Sequence, residues 1–359
     1  GLGIALARRT HGGSLRVHAA PGTLPLLLLL GWVLLQAVPL PPALLGAISP
    51  GSLALWERTL GAAGPLPWVS ISVDPAATRV IGGGWDGTVQ IWSLADGRQV
   101  ARWRAHEGTV HGAVFLGADR ILTAGYDGGI ALWDPAGRRV ASFDARSPIT
   151  AFDITPDLTT FITGHADGHV RWWQTDGVKL LRQDGVHDGA EVRAVAIHPS
   201  GRLAASSDDD GRVALVEPDG TRRWLDEPPT DALTLAFARE GGALYGGGWF
   251  NLFRWDAAGG AVQVMDTDHR GEIKRIAFTP DGRELASISR QTDSAVLLLD
   301  PASGRTLREI GKHDLCGGVV MVSPDGRYLV STSDDATVRV WDRRNPRYSE
   351  PARAGGPPA

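Results

Sequence analysis

A module of about 40 residues, repeated seven times, is the feature that most limits what this 359-residue chain can fold into. Each copy ends in a short β-type run with one large apolar anchor, and successive anchors are 41, 40, 43, 39, 44 and 42 residues apart. The anchors are Trp92, Trp133, Trp173, Val216, Trp255, Leu299 and Trp341. Units of this length bury their apolar faces against their neighbours, so the period predicts a repeat domain. It also favours a binding function over a catalytic one.

Within each module, four short β-rich runs alternate with turn residues. A first strand such as 192–198 (VRAVAIH) leads into a turn such as 279–282 (TPDG). Second and third strands follow, as in 328–333 (YLVSTS) and 337–341 (TVRVW), and a variable fourth strand such as 305–311 (RTLREIG) closes the module. Pro presets φ in these turns and Gly after Asp accepts positive φ. Four strands repeated around a ring make a β-propeller, so the predicted fold is an all-β propeller of seven blades.

The modules resemble the WD40-repeat family over residues 52–343. In that family a His before the first strand, a Ser or Thr on the second, an Asp in the following turn and a Trp on the third form a hydrogen-bonded set. The resemblance implies two complete sets: His106, Thr123, Asp127 and Trp133, and His313, Ser331, Asp335 and Trp341. It implies a third set of His187, Ser206 and Asp210, in which Val216 replaces Trp. Eroded blades keep Asp86 with Trp92, and Asp167 with Trp173.

These sets are predicted to be structural. A hydroxyl, an imidazole and a carboxylate between blades all need partners, because an unpaired buried polar group costs on the order of 1–3 kcal/mol. We therefore interpret His106, Thr123 and Asp127 as a structural network, not as a catalytic triad, and predict no catalytic residue. His165 and His169 bracket one Asp in a tight turn, which holds a metal ion only with further ligands, so no metal site is predicted. No nucleotide or haem motif is present, and no cofactor is expected.

Composition narrows the partners. The net charge of −4 gives no electrostatic case for nucleic acid. The single cysteine, Cys316, excludes an intrachain disulfide and a Cys-based zinc cluster. Of the 36 basic residues, only three are lysines, which are Lys179, Lys274 and Lys312. With the abundant Ala and Gly, this bias indicates a GC-rich bacterial genome.

Residues 1–48 are predicted to be a basic segment followed by a hydrophobic helix. The run 24–38 (LPLLLLLGWVLLQAV) carries no charge, and Arg8, Arg9 and Arg16 precede it. It is short for a membrane span, which needs roughly 17–25 residues, but further apolar residues follow it. A retained membrane anchor and a cleaved secretory signal both remain open. In both cases the arginines stay in the cytoplasm and the propeller lies outside the cytoplasmic membrane, in the periplasm, or is released there after cleavage.

A second, weaker resemblance covers residues 20–75, which look like a fragment of the bacterial O-antigen ligase or polymerase membrane family. The rest of that many-helix protein is absent, so no activity is carried over. The resemblance agrees with an exported position for the residues that follow 42.

The seventh module has three clear strands and needs a fourth. Pro346 and Pro351 oppose a strand in the segment after Trp341, so residues 344–359 are predicted to be a flexible tail. The run 52–60 (SLALWERTL) resembles the outer strand of module six and is predicted to close the last blade, which leaves no raw sheet edge. A chain that begins at Trp68 and folds normally would contradict this closure.

The predicted partner-binding face combines the turns between second and third strands with the connections between blades. Trp249 in GGGWFN is expected to sit where Trp85 sits in GGGWDG. The candidate contact residues are Trp85, Tyr126, Trp249, His111, Arg193 and Arg275, with Lys274 beside them. Exposed aromatic and arginine side chains are typical of binding hot spots, although packing of Trp85 and Trp249 on neighbouring blades remains open.

The favoured function is a non-catalytic, membrane-tethered scaffold for a protein partner, or an accessory subunit of a bacterial membrane complex. The alternative is a propeller-type hydrolase or oxidoreductase with a ligand bound at the central channel. That alternative needs carboxylates, histidines or a metal to converge at the axis, and outside the hydrogen-bonded sets the sequence shows no such group. No small-molecule substrate is expected.

Overall fold

Seven antiparallel sheets follow one another along residues 67–259 and 261–344, which, with two short strands at 6–9 and 15–18, are the residues that this computed structural model describes. The predicted hydrophobic run 24–38, the closing strand 52–60 and the tail after 344 lie outside the described residues. The chain divides into two compact units, 1–58 and 59–359. In the first unit, β1 (Leu6–Arg9) pairs antiparallel with β2 (Leu15–His18).

The remaining strands form seven blades, numbered along the chain. Blade one holds β3 (Trp68–Val73), β4 (Arg79–Gly84), β5 (Thr88–Ser93) and β6 (Gln99–Arg104), and blade two holds β7 (Val110–Phe115), β8 (Ile121–Gly125), β9 (Gly129–Trp133) and β10 (Arg139–Asp144). Blade three holds β11 (Ile149–Ile154), β12 (Thr160–His165), β13 (His169–Gln174) and β14 (Lys179–Gly185), and blade four holds β15 (Val192–Ile197), β16 (Ala204–Asp208), β17 (Val213–Val216) and β18 (Arg222–Trp224). Blade five holds β19 (Thr234–Phe237), β20 (Ala243–Gly247), β21 (Asn251–Asp256) and β22 (Gln263–Asp266), and blade six holds β23 (Glu272–Phe278), β24 (Leu285–Arg290), β25 (Ala295–Leu299) and β26 (Thr306–Lys312). Blade seven holds β27 (Gly317–Val322), β28 (Tyr328–Ser333) and β29 (Val338–Asp342).

Every blade is a meander in which each strand pairs with the next along the chain. Blades one to six have four strands each, and blade seven has three among the described residues. The prediction of a seven-bladed, all-β propeller is therefore confirmed. Whether residues 52–60 supply the fourth strand of blade seven stays a prediction.

The hydrophobic core is divided into seven clusters, one at each boundary between neighbouring blades. The cluster between blades four and five, for example, packs Leu215 against Phe253 and Trp255, all fully buried. Burying a large apolar side chain contributes about 1.5–3 kcal/mol, so each blade is stabilised chiefly by its two neighbours. A closed ring also covers the outer faces of the first and last blades, which an uncapped open array leaves in water.

Contacts between the last and first blades close the ring. Val330 and Val338 of blade seven share a cluster with Trp68 and Trp92 of blade one. The Thr332 hydroxyl donates a hydrogen bond to the Trp68 carbonyl at 3.0 Å. Ser70 of blade one makes the same kind of bond to the Val110 carbonyl of blade two, at 2.9 Å. The boundary between the two ends of the propeller is thus built like the others.

The innermost strands carry bulges where they begin. The register shifts between Val110 and Gly112 in β7, between Val192 and Ala194 in β15, and between Ile273 and Arg275 in β23. The skipped residues are His111, Arg193 and Lys274. A bulge re-aims the side chain of the extra residue, and here it sets three polar side chains at the mouth of the central channel.

Candidate functional site

One face of the propeller, called here the loop face, is built from two kinds of loop that hydrogen-bond each other. The hairpin between the second and third strands of a blade meets the connection that enters the same blade. In blade two, Tyr126 N donates to Thr109 O at 2.8 Å, and in blade four Asp209 N donates to Glu191 O at 3.1 Å. These backbone bonds hold the hairpin tips and the connections at fixed positions around the channel.

Blade two contains a complete four-residue network beneath this face. His106 Nδ1 lies 2.9 Å from Asp127 Oδ1, and His106 Nε2 lies 2.8 Å from Thr123 Oγ1. The indole N–H of Trp133 donates to the same Thr123 oxygen at 2.8 Å. Asp127 also accepts bonds from the backbone amides of Glu107 and Gly129. Every polar atom of the set is thereby occupied inside the fold.

Blade seven repeats the arrangement. His313 Nε2 lies 2.7 Å from Ser331 Oγ, which accepts the indole N–H of Trp341 at 2.9 Å. His313 Nδ1 lies 3.5 Å from Asp335 Oδ2, and the Thr337 hydroxyl donates to that carboxylate. His313 and Ser331 are buried, so they have no access to a substrate on the surface.

In blade four the predicted carboxylate is wrong. His187 Nε2 meets Ser206 Oγ at 2.7 Å as expected, but its Nδ1 meets Asp208 at 2.7 Å and not Asp210. Asp208 ends β16 with a buried side chain, whereas the exposed Asp210 pairs with Arg212 at 3.1 Å. The sequence does not show which of the three consecutive aspartates contacts His187, because this depends on where β16 ends.

Blade six holds a further set that the sequence reasoning missed. His269 Nε2 lies 2.8 Å from Ser287 Oγ, and His269 Nδ1 lies 3.7 Å from Asp293. The signal was present, since the His–Ser separation of 18 residues equals that of His313 and Ser331. Leu299 replaces the tryptophan and obscured it.

Blade three uses its residues differently from the pattern. His165, on β12 itself, bonds Thr163 Oγ1 at 2.7 Å, and Trp173 donates to that hydroxyl at 2.9 Å. The expectation that Asp167 joins this set is wrong, because its carboxylate pairs with Arg171 at 2.7 Å. Arg171 thus takes the place beside the hairpin aspartate that His106 has beside Asp127 in blade two.

Burial lowers the pKa of three of the networked histidines. For His165 the pKa falls to about 4, chiefly through burial and also through the nearby Arg171. Burial likewise lowers the pKa of His187 and His313 against the opposing effect of Asp208 and Asp335. These imidazoles are therefore neutral hydrogen-bonding groups at neutral pH.

The carboxylates of the networks shift in the direction that favours charge. Burial by itself raises the pKa of Asp127, but the bonds from His106 and the Glu107 amide outweigh it and hold that pKa below its usual range. The same balance, with His313 and Thr337 as donors, lowers the pKa of Asp335. Both carboxylates accept hydrogen bonds from groups inside the fold, which keeps them within the structural networks.

The central channel encloses a cavity of about 400 Å³ lined by the innermost strands. Arg275, predicted at the border of the loop face, lines this channel together with His111 and Asp153. Asp153 Oδ2 accepts a bond from Ile197 N at 2.9 Å. Burial raises the pKa of Asp153 and lowers that of Arg275, while each opposes the other's shift by its charge.

The bulge residues surround the mouth of the channel. The His111 ring lies 6.2 Å from the Tyr126 ring, which joins the channel wall to the loop face. Burial, aided by the charge of Lys274, lowers the pKa of His111 to about 4. Exposed Arg193 forms an ion pair with Asp209 at 2.6 Å. The structure therefore brings His111, Tyr126 and Arg193 into one region around the axis.

Of the predicted aromatic contacts, Trp85 and Tyr126 are exposed, at 57% and 45% of their surfaces. Trp249 is half-buried, and its assumed equivalence to Trp85 is wrong. Residues 248–251 separate the paired residues Gly247 and Leu252, whereas 84–88 separate Gly83 and Val89. The hairpin of blade five is thus one residue shorter, so Trp249 takes the place of the aspartate and Phe250, 47% exposed, takes that of the glycine.

Among the described residues, no group of three or more His, Cys, Asp or Glu side chains is placed to hold a metal ion. No helix within the described part of the chain is long and apolar enough to cross a membrane.

Comparison with known families matches the repeats. The family described as "WD domain, G-beta repeat" matches residues 60–93, 97–134, 137–174, 179–216 and 304–342, which together make up just over half of the chain. The segments leave out 217–303, which holds blade five and most of blade six.

Curated relatives match over about half of the chain. Protein HIR1 of Cryptococcus neoformans is 27% identical over 212 residues, which are 55% of this chain and 21% of that protein. WD repeat-containing protein VIP3 of Arabidopsis thaliana is 30% identical over 188 residues, 47% of this chain and 58% of that protein. WD repeat-containing protein SL1-17 of Schistosoma mansoni is 30% identical over 200 residues, 53% and 64% of the two chains. This chain thus spans from a fifth to less than two thirds of these relatives, and their eukaryotic sources lend no support to the predicted bacterial origin.

Proposed function

Because this chain belongs to the WD40-repeat family, we propose that it is a non-catalytic scaffold that holds a protein partner on its loop face. The observation that carries the proposal is that the side chains in the buried networks and the side chains exposed on the loop face are different sets. Several histidines and aspartates of the kind found in catalytic sites are used in networks within the blades, as in the set around His106. The side chains that the repeat does not use, such as Trp85 and Tyr126, are exposed on one face.

The physical basis is rigidity. A closed ring with seven packed boundaries holds the hairpin tips in place, so a partner meets a preorganised surface and loses less ordering entropy on binding. Trp85, Tyr126 and Arg193 are of the residue types that dominate binding energy at protein interfaces. The mouth of the channel, where His111 and Lys274 lie, adds polar contacts at the centre of this surface.

We propose further that the scaffold is an accessory subunit of a bacterial membrane complex, with its propeller outside the cytoplasmic membrane. The support is the charge-free run 24–38 behind three arginines. Fractionation of cells that make the tagged chain tests this location. Recovery of the chain from the cytosol, with none in the membrane or periplasm, would contradict it.

Capture of the partner tests the scaffold function. The tagged full-length chain is purified from its source membranes, and proteins that co-purify in stoichiometric amounts are identified by mass spectrometry. A double variant, Trp85→Ala with Tyr126→Ala, should weaken partner binding by about thirtyfold or more, because truncating an aromatic hot spot typically costs about 2 kcal/mol or more.

The control variant is Val140→Ala, on β10 in the outer strand of blade two, where the side chain is 66% exposed. It should retain the partner. Equal loss in the double variant and the control would contradict a loop-face site. A chain purified alone, with a metal or small molecule tightly bound at the axis, would favour the enzymatic alternative.

A further inference from the structure

The hairpin between the second and third strands of blade five breaks a backbone rule that blades one to four obey. In those blades the third hairpin residue is a glycine with φ between 78° and 80°: Gly87, Gly128, Gly168 and Gly211. Blade five has Phe250 at this position, with φ 65°. A bulky side chain is strained in this left-handed region, where glycine is not. Phe250 O still accepts a bond from Thr267 N at 3.1 Å, as Gly87 O does from Ala105 N at 2.8 Å.

The fold does not bury the Phe250 side chain in return for this strain. Its ring is 47% exposed and lies 5.6 Å from the Trp249 ring at an angle of 60°. The Trp249 backbone is held from both sides, because its N–H bonds Thr230 Oγ1 at 3.3 Å and the residue forms a β-bridge with Glu272. The result is a pair of aromatic rings on a fixed base, open to a ligand.

The two connections that contact this hairpin are acidic. They span 226–231 and 266–272, and their carboxylates belong to Asp226, Glu227, Asp231, Asp266, Asp268 and Glu272. One basic residue, Arg270, lies within the two connections, and Lys274 follows on β23. Across the described residues, none of the six carboxylates forms an ion pair. The rings are therefore flanked by six carboxylates that form no ion pair in the part of the chain that the structure describes, and of these the charge of Glu272 acts on nearby Lys274.

Three exposed carboxylates elsewhere on the loop face have basic partners. Glu107 pairs with Arg104 at 3.0 Å, Asp188 with Arg222 at 3.1 Å and Asp209 with Arg193 at 2.6 Å. These three carboxylates are paired with arginine, whereas the six in the connections beside Trp249 and Phe250 form no ion pair within the described residues.

We propose that the blade-five patch, formed by Trp249, Phe250 and the two acidic connections, binds a basic segment of the protein partner. This inference rests on the scaffold function proposed above. A guanidinium or ammonium group of the partner packs against the two rings, and neighbouring basic side chains pair with the carboxylates. An acidic segment is repelled by the same charges, and an uncharged apolar segment leaves the carboxylates unpaired.

The test titrates the full-length chain, purified in detergent, into a fluorescent peptide of alternating Arg and Gly. The matching Glu–Gly peptide is the control ligand. Only the basic peptide should bind, and its affinity should fall as salt rises from low to physiological concentration. Phe250→Gly should weaken binding about tenfold through loss of the ring. Glycine suits the left-handed turn, so the melting temperature should stay close to that of the parent, and weaker binding cannot then be traced to unfolding.

A matched pair of charge variants isolates the carboxylates. Asp226→Asn, Glu227→Gln and Asp268→Asn together should weaken binding of the basic peptide about tenfold and reduce its salt dependence. The control combines Glu107→Gln, Asp188→Asn and Asp209→Asn, which changes the net charge equally at paired positions, and should leave binding within about twofold. Unchanged affinity in Phe250→Gly, equal effects of the two triple variants, or equal binding of the Glu–Gly peptide would each overturn the inference.

The partner-capture experiment separates this inference from the scaffold proposal. Capture that is lost with Trp85→Ala and Tyr126→Ala but is undiminished in Phe250→Gly overturns the blade-five patch and leaves the scaffold function standing. Reduced capture in Phe250→Gly, with Val140→Ala unaffected, supports both.

Discussion

Blades two and five use the same four-stranded frame in opposite ways. Blade two has His106, Thr123 and Asp127 linked to one another beneath the loop face. Blade five has no histidine between 225 and 266, and Gly246 stands where the hydroxyl is expected, packed against the ring of Trp255. Trp255 instead donates its indole N–H to the backbone carbonyl of Asp226 at 2.9 Å.

The difference shows which positions of a repeat can change their residues without loss of the fold. A blade boundary needs filled space and paired polar groups, and either a four-residue network or an aromatic ring bonded to a backbone carbonyl meets that need. Without the network, the hairpin no longer needs the aspartate that bonds the histidine or the glycine that follows it. Blade five then carries Trp249 and the strained Phe250 on the loop face, which is a change more useful for recognition than for stability.

The largest effect that sharpens this comparison is expected at Thr123. Thr123→Val removes the oxygen shared by His106 and Trp133 and leaves two buried groups unpaired, at about 1–3 kcal/mol each. The free energy of unfolding should fall by about 4 kcal/mol, measured by urea denaturation. Tyr126→Ala, in the adjacent exposed turn, is the control and should change it by about 0.5 kcal/mol or less. Equal losses in the two variants would break the distinction between network and surface.

The next effect contrasts the hairpin glycines with Phe250. Gly87→Ala should destabilise the protein by about 2–3 kcal/mol, because the position has φ 80° and the new Cβ would lie 1.9 Å from the His106 carbonyl oxygen. Phe250→Gly should keep stability within about 1 kcal/mol of the parent, since relief of strain offsets the greater freedom of the unfolded glycine. Thermal unfolding of both variants measures the difference. A Phe250→Gly loss as large as that of Gly87→Ala would show that Phe250 is a core residue.

A pH dependence of similar size should come from the networked blades. The pKa of buried His165 is lowered from 6.5 to about 4, so below pH 6.5 the unfolded chain binds more protons and stability falls. At pH 5 this one residue should cost about 2 kcal/mol relative to pH 7.5. In His165→Gln the loss between these two pH values should shrink by that amount, measured by urea denaturation at each pH. An identical pH profile in both proteins would rule out His165 as the source.

The smallest effect should be at the channel mouth. Arg193→Ala removes an exposed ion pair with Asp209, and exposed pairs contribute about 0.2–1 kcal/mol. The melting temperature should change little, whereas partner capture should fall if this residue contacts the partner. A large loss of stability would place Arg193 among the structural residues.

Much of the structural network beneath the candidate site was implied by the resemblance to the WD40-repeat family. The resemblance placed His106, Thr123 and Asp127 in one set, and the structure brings these residues into hydrogen-bond contact. The choice between Asp208 and Asp210 could not be predicted, because it depends on where β16 ends. Phe250 was missed for a related reason. The hairpin of blade five is one residue shorter than that of blade one, which shifts its residues to different structural positions although both hairpins contain the sequence GGGW.

The period of about 40 residues and the pattern of four strands in each repeat predict a seven-bladed ring from the sequence alone, because closure covers the apolar faces of the first and last blades. Which polar groups are used inside and which face a partner was decided by the tertiary structure. Only the register of each hairpin, and the distances between residues as far apart as Thr332 and Trp68, settle which side chains pair and which stay exposed. The periodic pattern specifies the propeller fold. The structural roles of residues that depart from the pattern, such as Asp208 and Phe250, depend on contacts that only the folded protein shows.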